Sequence, residues 1–144
     1  MARPDLRRSP ARLDHLDYRT LSEFRYQLRC FLEFSQSAAR AVGLTSRQHQ
    51  ALLAIKGFAG GRSVTVGDLA ERLRIRPHSA VELADRLSEA GLIVRLPDAD
   101  DRRRVLLGLT KVAEERLAEL SAAHLEELHR LRPALLQTLG LPYD

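Results

Sequence analysis

A chain of 144 residues with one cysteine, Cys30, and no tryptophan can bury a core without help, and it excludes an internal disulfide framework. Its 21 Arg and 2 Lys against 19 acids leave a net charge of +4, too small a surplus to argue for nucleic acid by itself. No apolar run approaches the ~18 residues of a membrane span, and the charged start has no apolar segment behind it. The composition therefore reads as one soluble, helix-rich domain of a reducing cytoplasm, without membrane contact.

Residues 1–12 are an Arg- and Pro-rich arm. The first helix is predicted from Asp17 to Val42, with Arg25, Arg29, Glu33, Gln36 and Arg40 on one polar face. Two apolar stripes fill the rest: Phe24, Leu28, Phe31, Leu32 and Val42, and Tyr26, Cys30, Phe34 and Ala41. A helix apolar over so wide an arc packs on two sides, which points to a partner subunit. Cys30 lies inside a stripe, a setting that disfavours a reactive thiolate.

Gly43 ends this helix, and Thr45-Ser46-Arg47-Gln48 carries the capping-box pattern that starts the next. Leu52, Ile55 and Ala59 recur at helical spacing up to a stop at Gly60-Gly61. Early in this helix, His49 reads as a partly buried core histidine, the alternative being the lining of a ligand pocket. Thr65-Val66-Gly67-Asp68 opens a third helix in the same way, with Leu69, Ala70 and Leu73 as its core positions.

Arg74-Ile75 leaves room only for a turn, and Pro77 suits the first position of a fourth helix. That helix has two faces. Ala80, Leu83, Ala84 and Leu87 point to the core, while His78, Ser79, Glu82, Asp85, Arg86 and Glu89 point away, with Val81 at the margin. Arg76 stands at the cap, where a small hydroxyl, Asp or Asn is usual. Gly91 supplies a left-handed stop.

A hairpin follows. Leu92, Val94 and Leu96 alternate with Ile93 and Arg95; Val105, Leu107 and Leu109 answer on the return strand. Its loop packs Asp98, Asp100 and Asp101 before Arg102, Arg103 and Arg104. Acids paired to these arginines would aim a guanidinium, with Asp101 as buttress and Arg103 as tip. A helix predicted from Thr110 to about Arg132 carries Leu117, Leu120, Leu128 and Leu131 near heptad spacing, with Leu125 beside them. Pro133 starts a last short helix through Leu139. His124 and His129 are five apart, wrong for one helical face, and no Cys/His cluster has zinc spacing.

Helix, short turn, helix and arginine-tipped hairpin together form the plan of a winged helix-turn-helix, mainly α with a small β-hairpin wing. One helix of such a unit enters the major groove of DNA and the wing reaches the backbone or minor groove. The candidate DNA-binding residues are Arg76, Pro77, His78, Ser79, Glu82 and Arg86 on the reading helix, and Asp101, Arg102, Arg103 and Arg104 on the wing. His78, Ser79 and Glu82 offer donors and acceptors to base edges, and Arg86 can hold a phosphate or orient Asp85. The competing reading is a winged-helix protein-interaction module without DNA binding, favoured by the acids among these arginines. No nucleophile elbow, phosphate loop, HExxH or cofactor motif points to an enzyme.

Asp85-Arg86-Leu87 through Gly91-Leu92, then Asp101-Arg102-Arg103 through Leu109-Thr110, resemble the MarR family of winged-helix transcription regulators over roughly residues 20–132. The resemblance implies a single domain, 1–144. Helices in 13–44 and 110–144 would build a homodimer, and 45–109 would be the DNA-binding lobe. It implies a pseudo-palindromic operator, Arg103 in the minor groove held by Asp101, and residues 77–82 facing the major groove. It also implies release of DNA by a small-molecule effector, or by cysteine oxidation. The chain departs from the family pattern at Arg76, in place of a small hydroxyl cap, and at Ala113, where glycine is frequent.

Overall fold

The structure, a computed structural model, describes residues 12–58 and 61–140. Its elements run α1 (His15–Ala41), α2 (Ser46–Lys56), β1 (Val64–Thr65), α3 (Val66–Leu73), α4 (Pro77–Glu89), β2 (Ile93–Pro97), β3 (Val105–Leu109) and α5 (Lys111–Leu139). They form two compact units, one of residues 35–125 and one of the described residues up to 34 and from 126 onward. Among the described residues no helix is long and apolar enough to cross a membrane.

In the 35–125 unit, local chemistry sets the helix ends. Gly43 is left-handed at φ +75°, and the next N–H, that of Leu44, reaches back to the Ala39 carbonyl at 2.9 Å, closing α1. Thr45 then caps α2: its hydroxyl accepts from Gln48 N–H at 3.1 Å, and the Gln48 side chain accepts from Thr45 N–H at 2.9 Å. The predicted stop at Gly60-Gly61 comes too late. α2 ends at Lys56, where Gly57 N–H bonds the Leu53 carbonyl at 2.8 Å. A Cβ at Gly57 would lie 3.0 Å from that oxygen, so the nearer glycine makes the tighter turn. Ala59 and Gly60 lie outside the described residues.

Thr65 and Asp68 repeat the capping box on α3, the Asp68 carboxylate accepting from Thr65 N–H at 2.9 Å and from its hydroxyl at 3.0 Å. These bonds hold the Asp68 carboxyl below its ordinary range. A carboxyl more acidic in the fold than in the unfolded chain stabilises above its unfolded pKa of about 4, and that stability is lost as pH falls. Asp68→Ala is therefore expected to cost about 1 kcal/mol near neutral pH. The cost should shrink in acid unfolding below about pH 4; an equal loss at pH 3 would contradict the assignment.

Leu52 of α2, Leu69 of α3 and Leu87 of α4 are fully buried and meet in one core with Leu92, Ile93, Leu107, Leu117 and Leu120. The sheet has a strand the sequence did not reveal. Val64 and Thr65 pair with Leu107 and Leu106, giving the order β1-β3-β2. The faces of β2 also differ from the alternation expected. Ile93 opposes Leu109 and Arg95 opposes Leu107, so Ile93 is the inward residue. Val94 and Leu96 stay on the outer face, 42 % and 52 % exposed.

α5 does not break at Pro133, which lies inside one continuous helix. A proline removes one backbone bond and crowds one carbonyl, a local cost. Ala134, Leu135, Leu136 and Thr138 are half-buried beyond it, and their packing carries the helix on. In this second unit Gln27 is buried, its amide nitrogen donating to Glu23 Oε1 at 3.2 Å and Thr138 Oγ1 at 2.9 Å. The α1 and α5 segments here frame a groove of about 920 Å³, whose walls include Leu16, Leu21, Gln27 and Leu139.

Candidate nucleic-acid interface

The turn between α3 and α4 is built on Arg74, one of the two residues expected to form it. Arg74 is left-handed at φ +55°, ψ +41°, and its own N–H and that of Ile75 return to the Glu71 and Ala70 carbonyls at 3.1 and 3.0 Å. A side chain in this region costs about 1 kcal/mol or more. Arg74→Gly is thus expected to raise the unfolding midpoint by a few degrees; a fall would mean the arginine side chain stabilises the turn.

Arg76 occupies the N-cap of α4 and makes no side-chain cap bond, with Pro77 at the first helical position. Pro77 has no N–H to leave unpaired. The free amides of His78 and Ser79 therefore face outward at the positive end of the helix dipole, an arrangement suited to an anion. Ala80, Leu83, Ala84 and Leu87 are buried. His78, Glu82, Arg86 and Pro77 are exposed and Ser79 is half-buried, so the two faces of α4 separate as the spacing predicts. Val81, at the margin, is 48 % exposed.

Three of the acids around this surface, Asp85, Asp98 and Asp101, have partners within the protein. Arg95 of β2 donates to the Asp85 carboxylate of α4, linking the hairpin to that helix; Arg86, for which holding a phosphate or orienting Asp85 were both open, makes no ion pair with it among the described residues. In the loop, Asp98 accepts from Asp100 N–H at 2.9 Å and lies 3.8 Å from the Arg104 guanidinium. Asp101 accepts from the backbone N–H of Arg103 at 3.0 Å, and its carbonyl takes Arg104 N–H at 3.0 Å. The buttress therefore acts on the main chain of Arg103, because a carboxylate two residues back closes an Asx turn more readily than it reaches a guanidinium. Of the expected acid–arginine pairs in this loop, the structure contains Asp98–Arg104.

Arg76, Arg86, Arg102 and Arg103 are exposed and without an ion pair among the described residues. Two lie on the reading helix and two at the wing tip. Free guanidiniums beside an uncapped helix start can bind phosphate and read base edges. Missing from the expected set were Arg95 and Arg74; the partner of Asp85 is ten residues away, and a left-handed arginine has no sequence signature. Among the described residues no three His, Cys, Asp or Glu side chains gather as a metal site requires.

Residues 42–104, the stretch holding this turn, helix and most of the hairpin, match the model of the MarR family. The chain is 32 % identical over 80 residues to the HTH-type transcriptional repressor MdtR of Bacillus subtilis, a match covering 56 % of this chain and 50 % of that protein. It spans about half the length of the curated relatives it matches. The RV1404 protein of Mycobacterium tuberculosis has a similar fold, with a TM-score of 0.68 at 21 % identity over 92 % of this chain and 99 % of the other. So does a mutant of Staphylococcus aureus MepR bound to an oligodeoxyribonucleotide, at 0.64 and 20 % over 81 % and 93 %. At these identities the structures speak to the fold alone. The family match falls on the segment that carries the helix-turn-helix and wing, residues 42–104, and the shared fold extends past it on both sides.

Proposed function

We propose that the chain is a sequence-reading DNA-binding transcriptional regulator of the cytoplasm, acting as a homodimer on a pseudo-palindromic operator. The observation that carries this reading is the sorting of charge on one surface. Asp85 and Asp98 are spent on Arg95 and Arg104, and Asp101 on the backbone, while Arg76, Arg86, Arg102 and Arg103 stay unpaired. In this reading α4 lies in the major groove with His78, Ser79 and Glu82 at base edges and Arg76 and Arg86 at phosphates. Arg102, Arg103 and Arg104 form the wing, with Arg103 in the minor groove. Three of the acids that favoured an interaction module, Asp85, Asp98 and Asp101, already have partners within the protein, which weakens that alternative.

The homodimer rests on a different surface. α1 exposes Leu16, Leu21, Phe24, Leu28 and Leu32, each 40 % or more exposed, more apolar side chain than a lone helix face leaves in water. The groove of about 920 Å³ in the same unit is bordered by these segments, and a second copy would cover it. The repressor named among the relatives supports repression as the mode of action; release of DNA by a small-molecule effector is proposed with it. A salt titration of duplex binding tests the reading: affinity should fall linearly on log–log axes with a slope of several phosphates per dimer. Absence of binding at low salt would favour the interaction module.

A further inference from the structure

α2 brings a histidine into the core. His49 is 3 % exposed, and its Nδ1 has no hydrogen-bond partner. Its ring centre lies 4.8 Å from that of His124 on α5, the planes tilted by 47°. His124 is held on both nitrogens. Nδ1 is 2.7 Å from the Leu120 carbonyl, which can only accept, so this nitrogen carries the proton. Nε2 is 2.8 Å from Ser35 Oγ on α1, and in the neutral ring it accepts from that hydroxyl. One polar cluster thus joins α1, α2 and α5 where the surrounding core is apolar, with Ala39, Leu52 and Leu120 all buried. Reading DNA requires none of it.

Both His124 nitrogens have partners in place, whereas Nδ1 of His49 has none. A protonated His49 would carry two N–H groups, and Nδ1 meets no acceptor. A buried charge without a partner is among the costliest groups a core can hold. Burial first, and then the neighbouring His124, lower the His49 pKa. From α5 the titratable group acting on His49 is His124; α1 contributes the neutral Ser35. No charged group of α3 or β3, which also pack on α2, acts on it. The ion pair between α2 and α5, Lys56–Glu114, sits about two turns further along α2. Among the described residues no carboxylate acts on the ring.

We propose that His49, packed against His124, is an acid-sensitive latch, which holds α2 against α1 and α5 when the His49 ring is neutral and lets it go at mildly acidic pH. Protonated His49 is stable only where water reaches Nδ1, so uptake of the proton and separation of α2 are one event. The sign follows from linkage. A histidine less basic in the fold than in the unfolded chain stabilises above about pH 6.5, and that stability is lost as pH falls. α2 packs on α3 and β3, so its release moves the reading elements with it. This last consequence rests on the DNA-binding reading; the latch does not.

The test compares the full chain, His49→Leu and His124→Gln by amide hydrogen exchange at pH 7.5 and 5.5, corrected for intrinsic exchange. In the unsubstituted chain, protection of the α2 amides is expected to fall tenfold or more on acidification, while His49→Leu keeps it. Unchanged protection in the unsubstituted chain, or an equal loss in His49→Leu, overturns the latch. Should His49→Leu fail to fold, side-chain NMR titration of the unsubstituted chain decides: His49 protonating without loss of α2 protection is the contrary result. Duplex affinity in the same two buffers adds the functional arm. It should drop with acid in the unsubstituted chain and not in His49→Leu. A protein that binds no duplex at either pH refutes the DNA-binding reading, and the exchange data still judge the latch.

Discussion

Leu87→Ala is expected to lower the unfolding free energy by about 2–5 kcal/mol, with a fall in melting temperature on the order of 10 °C for a chain of this length. Leu87 is fully buried on the inner face of α4, and its carbonyl accepts the N–H of Leu92 at 2.9 Å, at the start of the hairpin. Truncation opens a cavity where the α4 and β2 sides of the core meet, a position with no room to collapse because Ala80 and Ala84 beside it are already small and fully buried. The folded fraction should bind DNA as before, since the side chain points away from the reading face. Urea unfolding with an unchanged m-value would give the loss directly. A cost below about 1 kcal/mol would mean that α4 does not seat on the core as described.

Arg103→Ala should weaken duplex binding by about 5- to 150-fold and flatten its salt dependence by roughly one unit of slope. The residue stands at the wing tip, its backbone pinned by Asp101 and its guanidinium unpaired. Arg104→Ala should cost less contact and more loop order, because Arg104 already faces Asp98. Fluorescence anisotropy across a salt series separates the two. Equal affinities for Arg103→Ala and the parent protein would remove the wing from the interface.

Much of this surface was legible in the sequence because its signals are local. The caps at Thr45 and Thr65 and the left-handed glycines 43 and 91 are each fixed by residues within a turn of one another. The sorting of α4 into Ala80-Leu83-Ala84-Leu87 against His78-Glu82-Arg86 rests on helical spacing alone. What was not legible depends on partners distant in the chain. β2 is apolar on both faces, with Ile93 on one and Val94 and Leu96 on the other, so alternation cannot choose the inner face. Pairing with β3 chooses it. β1 is two residues long and exists through β3. His49 and His124 look unremarkable on their own helices and become a pair only when α2 meets α5. Asp85 likewise carried no sign that its partner would be Arg95. Pro133 misled in the other direction: a strong local breaker was overridden by packing on either side of it.

The most direct measurement is selection of bound fragments from a random duplex library at ~150 mM salt, where backbone-only binding is suppressed. A sequence-reading dimer should enrich a two-fold-symmetric motif with half-sites about one helical turn apart, and the Arg103→Ala protein should enrich it less. Fragments recovered without any shared motif, from a protein that is folded and dimeric in the same buffer, would contradict the assignment of α4 and the wing as a DNA-reading surface.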